Sequence, residues 1–126
     1  MKLALVLAVL PALLAPQDTA ERWTPVGSRQ GSKGEVTIEV APASIRKDGA
    51  QRHFRMRATS KFSGRIVISN IVADCAANQY WGEGEMQLYV DGKLADTRIL
   101  SGDDLVHRDG NDEPVSTAMI KLVCAA

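Results

Sequence analysis

Cysteine and histidine are the scarcest reactive side chains in this chain of 126 residues: Cys75 and Cys124, His53 and His107, two of each. Neither cysteine has a second ligand at metal-binding spacing, so zinc is the weaker use for them and a single bridge the stronger. Two cysteines allow only one intramolecular pairing, and such a pairing points to an oxidising compartment. Closing a loop of roughly fifty residues would stabilise a small domain by about 4 kcal/mol. The histidines suggest hydrolase or metal chemistry only if one of them joins loop acids such as Asp104 and Asp109. No nucleophile, base and orienter stand at recognisable spacing, so the expected class is not an enzyme, with no cofactor and no metal.

Two further patterns fall short of a site. Asp103, Asp104, Asp109, Asn111, Asp112 and Glu113 are numerous enough for calcium, but their spacing departs from the EF-hand loop. The last of them suit a helix N-terminus, where acids complement the dipole. Gly82-Glu83-Gly84 lacks the further glycine, the lysine and the helix of a phosphate loop.

Binding chemistry is better represented. Lys and Arg balance Asp and Glu at 15 each, which argues against a general coat for nucleic acid. The charges are segregated, however. Arg46, Lys47, Arg52, Arg55, Arg57, Lys61 and Arg65 crowd one stretch, and acids dominate the later half, giving a dipolar surface. Arg55, Arg57, Trp81 and Tyr89 fall on the outward parity of their strands. Arginine and aromatic side chains are over-represented at binding hot spots, so these four are the candidate binding residues. The arginines fit either an anion-binding stripe or a solvated face paired with neighbouring acids.

The elements that must position these residues begin after a leader. Met1-Lys2 is followed by the apolar run Leu3 to Leu14 and by small residues at Ala15 and Ala20, the pattern of a signal peptide over residues 1–20. About 106 residues then remain, 21–126, enough for one domain. Arg22 to Val26 reads as a short edge strand, since Pro25 cannot donate to a central ladder. Gly27 to Gly34 shows no periodicity and reads as a loop. Glu35 to Val40 alternates, Ala41 to Ile45 breaks the strand, and Lys47-Asp48-Gly49 has turn composition.

Gln51 to Thr59 sends Phe54, Met56 and Ala58 one way and His53, Arg55 and Arg57 the other. Gly64 to Cys75 is apolar on both parities, as in a strand covered on both faces. Val67, Ser69, Ile71 and Ala73 share the parity of Cys75 and should face whatever bears Cys124. Ile66, Ile68 and Val72 then need a second cover, from the N-terminal segment, a loop or another subunit. Asn78 to Val90 alternates longest, and Gly82 and Gly84 mark a close approach or a bend. Asp91-Gly92 is a hairpin turn leading to Leu94–Leu100. Ser101 to Pro114 is a surface loop, and Val115 to Cys124 is the helix, entered through Pro114. The fold class is α+β: a curved antiparallel sheet of about six strands with a C-terminal helix tethered by disulfide to one face.

The order of these signals resembles the surface-adhesin protein E family of small exported bacterial proteins. The resemblance is carried by Val36-Thr37-Ile38-Glu39 leading into Pro42-Ala43-Ser44-Ile45 and Lys47-Asp48-Gly49, by Ala73-Asp74-Cys75, and by the terminal segment Val115 to Cys124. It implies the same sheet and tethered helix, and for the adhesins themselves host-matrix binding and dimer formation. The leader holds no cysteine for a lipid anchor, and Ala41 stands where the family pattern has aspartate. The expected function is a non-enzymatic binding domain, periplasmic or secreted, for a protein or polyanionic partner of the envelope or matrix. No nucleic-acid partner and no membrane span of the mature chain are expected. A structural homodimer is the alternative.

Overall fold

The computed structural model describes residues 21–126, so the leader expected over residues 1–20 lies outside the described part. Six strands follow one another as an antiparallel meander: β1 (Thr24–Gly31), β2 (Gly34–Asp48), β3 (Gln51–Ser60), β4 (Ile66–Asp74), β5 (Gln79–Val90) and β6 (Lys93–Leu100). A two-residue strand, β7 (Arg108–Asp109), pairs with β5 beyond the end of β6, and the helix α1 (Pro114–Ala125) closes the chain. Short turns impose this order. Asp91 and Gly92 both take positive φ, 54° and 79°, the type I′ geometry that matches strand twist in a two-residue hairpin. Register shifts interrupt four pairings, β1–β2, β2–β3, β4–β5 and β5–β6, and bulges of this kind bend the strands that carry them.

Two local expectations are corrected. The stretch from Gly27 to Gly34 is not a loop. β1 continues to Gly31, which lies opposite Gly34, so the segment is a hairpin paired with β2 along its length. An exposed edge strand is held by backbone bonds to one neighbour and has no need of alternating apolar side chains, which is why periodicity missed it. The second correction concerns Ala41 to Ile45, which does not end the strand. β2 runs on to Asp48, with Ala41 opposite Arg55 and Arg46 opposite His53, so Pro42 to Ile45 bulge out of the ladder opposite Phe54. Ser44 repairs the gap: its hydroxyl accepts from Arg55 N–H at 2.9 Å and donates to the Ala41 carbonyl at 2.6 Å.

The parity of β3 and β4 holds. Phe54, Ile71 and Ala73 are buried on the helix face with Val40, and α1 lays Met119, Ile120 and Val123 over them. Cys75, just past β4, joins Cys124 near the end of α1 with 5.9 Å between Cα atoms. Helix and sheet are therefore tethered as the cysteine arithmetic requires. The two glycines of β5 divide the roles foreseen for them. A Cβ on Gly82 would come within 3.1 Å of the Leu100 side chain, so Leu100 packs there; Gly84, at φ 87°, sits where the strand leaves register.

Candidate functional site

α1 rests on β1 to β4. Between its first turns, the sheet and the segment Leu100–Arg108 an apolar cleft of about 330 Å³ remains. Ile38, Met56, Ile71, Leu100, Val115 and Met119 line it, and Val106 stands exposed at its rim. Each is there by strand or helix parity: Ile38 and Met56 face the helix from β2 and β3, Ile71 from β4, and Val115 and Met119 lie one turn apart on the buried side of α1.

The rim is polar and internally paired. Arg29 Nε meets the Glu113 carboxylate at 3.2 Å, joining β1 to the residue that caps α1. The Tyr80 hydroxyl donates to the Asp112 carboxylate at 3.1 Å, and lies 2.9 Å from the Ser116 hydroxyl, which is then its donor. Arg108 approaches Asp112 from the other side at 3.5 Å. Burial, and with it the neighbouring carboxylate, pushes the Tyr80 phenol above its ordinary range. Burial works in the same direction on Asp112, yet the neighbouring Ser116 hydroxyl and the bond from Tyr80, with Arg108 and a backbone N–H, hold its carboxyl below the ordinary range.

The segment over the cleft is fixed at its far end. β7 places Arg108 opposite Tyr80 and Asp109 opposite Gln79, and Gly110 N–H donates to the Asn78 carbonyl at 2.8 Å. Gly110 suits this close approach, since a Cβ would run into the Asn78 side-chain amide and lie 3.1 Å from the Asn78 carbonyl oxygen. On the opposite face of the sheet His107 lies flat on Trp81, ring centroids 4.0 Å apart. The cleft thus offers apolar contact and a rim of satisfied charges: it can take up an apolar group, and it supplies no unpaired charge but Asp104 to attract an ionic one.

The sequence candidates occupy the outer face, away from α1. Arg57 donates from Nε to the Glu39 carboxylate at 2.8 Å, its direct cross-strand partner, and Arg55 pairs with Glu21. Both guanidinium groups lie over Trp23, at 4.7 and 5.8 Å from the ring centroid. Trp81 is only 7% exposed, because His107 covers it, and its indole N–H donates to Glu83 at 2.9 Å. Trp81 keeps the outward parity expected of it but is buried rather than exposed. Tyr89 is half-buried and donates to Gln87 at 3.2 Å. The four share a face without converging: the arginines share Trp23, Trp81 lies across Val72 from His53, and Tyr89 lies across Ile66 from Thr59.

The two histidines have separate partners, His53 facing Asp48 at 3.7 Å and His107 stacking on Trp81, while Asp109 accepts from the backbone of Asn111. Among the described residues no group of three or more histidine, cysteine or acidic side chains is placed to hold a metal ion, and no helix is long and apolar enough to cross a membrane. Residues passed over earlier prove central. Arg29 was hidden in a segment without periodicity, and Leu100 carried no signal beyond its place at the end of a strand.

Comparison with known proteins returns no family model, no curated protein and no solved structure that matches this chain.

Proposed function

We propose that this protein is a non-enzymatic, exported binding domain that holds a small, mainly apolar molecule in the cleft beneath the N-terminal half of α1. The cleft carries this reading. Its volume, about 330 Å³, falls within the range of small-ligand sites, and such sites are largely apolar with a few fixed polar groups. A folded partner needs roughly 800 Å² of surface on each side, far more than this opening offers. The internal pairing of Arg29 with Glu113 and of Arg108 with Asp112 favours a neutral guest over a charged one. Export is supported by the charged start, apolar run and small residues of the leader and by the Cys75–Cys124 bridge.

Titration with the neutral, environment-sensitive dye N-phenyl-1-naphthylamine tests the cleft. Saturable fluorescence enhancement is expected, at least tenfold weaker in Leu100→Trp, where the larger ring fills the space over Gly82. Equal dye affinity in wild type and in a folded Leu100→Trp protein would refute the assignment. Cell fractionation with and without surface protease locates the processed chain; recovery in the cytoplasm would overturn export.

A second reading, a structural homodimer, is favoured by β6. This edge strand exposes Leu94 and Ile99 on the outer face. Paired antiparallel with its own copy about Thr97, it would set Asp96 opposite Arg98 twice, and opposite charges across strands are stabilising. A monomer by light scattering at high concentration would remove it.

A further inference from the structure

On the outer face two irregularities confront each other across β3 and β4. The bulge Pro42–Ile45 of β2 forms one wall, and Glu83-Gly84 of β5, where that strand loses register with β4, forms the other. The groove between them has a volume of about 520 Å³. Bulges re-aim side chains and are over-represented beside functional sites, and here they frame a defined set of groups. One row runs straight across the strands: Arg46 lies opposite His53, His53 opposite Val72, and Val72 opposite Trp81. Beside it Arg55 lies opposite Asn70, with Glu83 on the far wall.

These groups differ in availability. Arg55 is engaged by Glu21, and its backbone N–H by Ser44, so it shapes the floor. Arg46 is exposed and has no ion-pair partner among the described residues. Asn70 and Glu83 are exposed as well, an amide and a carboxylate able to donate to and accept from hydroxyls. Past the far wall of the groove, in line with the row, the exposed His107 stacks on Trp81 and extends the site with an aromatic surface.

We propose that this groove binds an acidic saccharide, a chain of sugar rings bearing carboxylate or sulfate groups. Arg46 takes the anionic group, for which a planar guanidinium is suited. Asn70 and Glu83 take ring hydroxyls, and the His107–Trp81 stack receives the apolar face of a ring. A bare phosphate would use only the first of these, and Glu83 would repel it. Arg46 and Trp81 are three strand spacings apart, roughly 14 Å, so the site spans more than one sugar. The groove opens on the face of the sheet opposite α1, and Trp81, at its end, also borders the apolar cleft.

The test is calorimetric titration with three oligosaccharides of similar length: a sulfated heparin fragment, an oligogalacturonate and a neutral cello-oligosaccharide. Binding of an anionic chain without binding of the neutral one is expected. Sulfate-only binding identifies a matrix-type glycan, and binding of both anionic chains an envelope-type uronate. Arg46→Glu should weaken the anionic complex at least tenfold, and His107→Ala several-fold. Lys121→Glu, an equal charge change on the exposed side of α1, should leave it unchanged. The proposal fails if neither anionic chain binds, if Arg46→Glu and Lys121→Glu weaken binding equally, or if inorganic phosphate displaces the chain at matched concentration.

Discussion

The two ends of α1 are held to the sheet by different physics. At its C-terminal end Cys124 is bonded covalently to Cys75. At its N-terminal end the attachments are one ion pair, Arg29 to Glu113, and the hydroxyl chain Ser116–Tyr80–Asp112. A bridge closing a loop of this length stabilises by about 4 kcal/mol, whereas a partly exposed ion pair contributes up to about 1 kcal/mol. The apolar cleft opens beside the weaker end. The polar contacts at the first turn can therefore loosen while Ile120 and Val123, nearer the bridge, stay on Phe54 and Ala73.

The sharpest way to break this contrast is to make both ends non-covalent. The double substitution Cys75→Ser with Cys124→Ser should lower unfolding stability by about 4 kcal/mol in denaturant titration. Hydrogen exchange should then rise along the whole of α1 rather than at its first turn alone. A loss below about 1 kcal/mol would mean that the bridge adds little to packing, and the distinction between the ends would vanish.

Next in size is the middle of the helix. Met119 is 2% exposed and belongs both to the core cluster and to the cleft wall. Met119→Ala should cost about 3 kcal/mol, since a buried methionine is replaced by a void that the tethered helix cannot close fully. Because the void opens on the cleft, dye capacity should rise while stability falls. A drop in both would place Met119 in the core alone.

How far these features could be read without coordinates depends on whether their cause is local. The alternation that puts Phe54 inward and Arg55 outward, the Asp91-Gly92 turn, and the helix entered through Pro114 are written in neighbouring residues, and each stands where it was expected. The bridge follows from counting. β1 was invisible beyond Val26 because an edge strand draws on its neighbour's backbone, and Pro42 looked like a terminator because the bulge that accommodates it is held by Ser44, whose hydroxyl accepts from Arg55 on the neighbouring strand. The burial of Trp81 by His107 and the cleft itself assemble residues distant in sequence, so no window along the chain holds their signal.

A finer probe of the weaker end is Tyr80→Phe, which removes one hydroxyl from the chain that links β5 to α1. The loss should be about 2 kcal/mol, because the hydroxyl both donates to Asp112 and accepts from Ser116 and each such bond is worth about 1 kcal/mol net. Its signature lies at alkaline pH. The folded phenol titrates above its ordinary range, so the neutral form is favoured in the fold. That contribution is complete below the unfolded phenol's range and is lost as pH rises through the folded value. Tyr80 should show late ultraviolet phenolate absorbance, and Tyr80→Phe should abolish that late step.

The smallest effect is expected from Asp112 and acts in the opposite pH direction. Its carboxyl is held below the ordinary carboxylate range, despite burial, by the neighbouring Ser116 hydroxyl, the bond from Tyr80 and Arg108. A lowered folded value means that the unfolded chain takes up the proton first. The contribution of Asp112 is therefore whole above the unfolded carboxylate range and drains away as pH falls through the folded value. Protonation also weakens the acceptance from Tyr80 and removes the attraction of Arg108, so acid should act on the first turn of α1 and on β7. The residues around Cys124, held by a bond that does not titrate over this range, should be untouched. Hydrogen exchange by mass spectrometry at about pH 3 and at pH 6, corrected for intrinsic rates, should show the Pro114–Thr117 turn opening ahead of the last turn. Asp112→Asn should remove that difference between pH values, because an amide cannot be protonated in this range. Equal acid sensitivity at both ends of α1 would show that the two attachments are alike in strength.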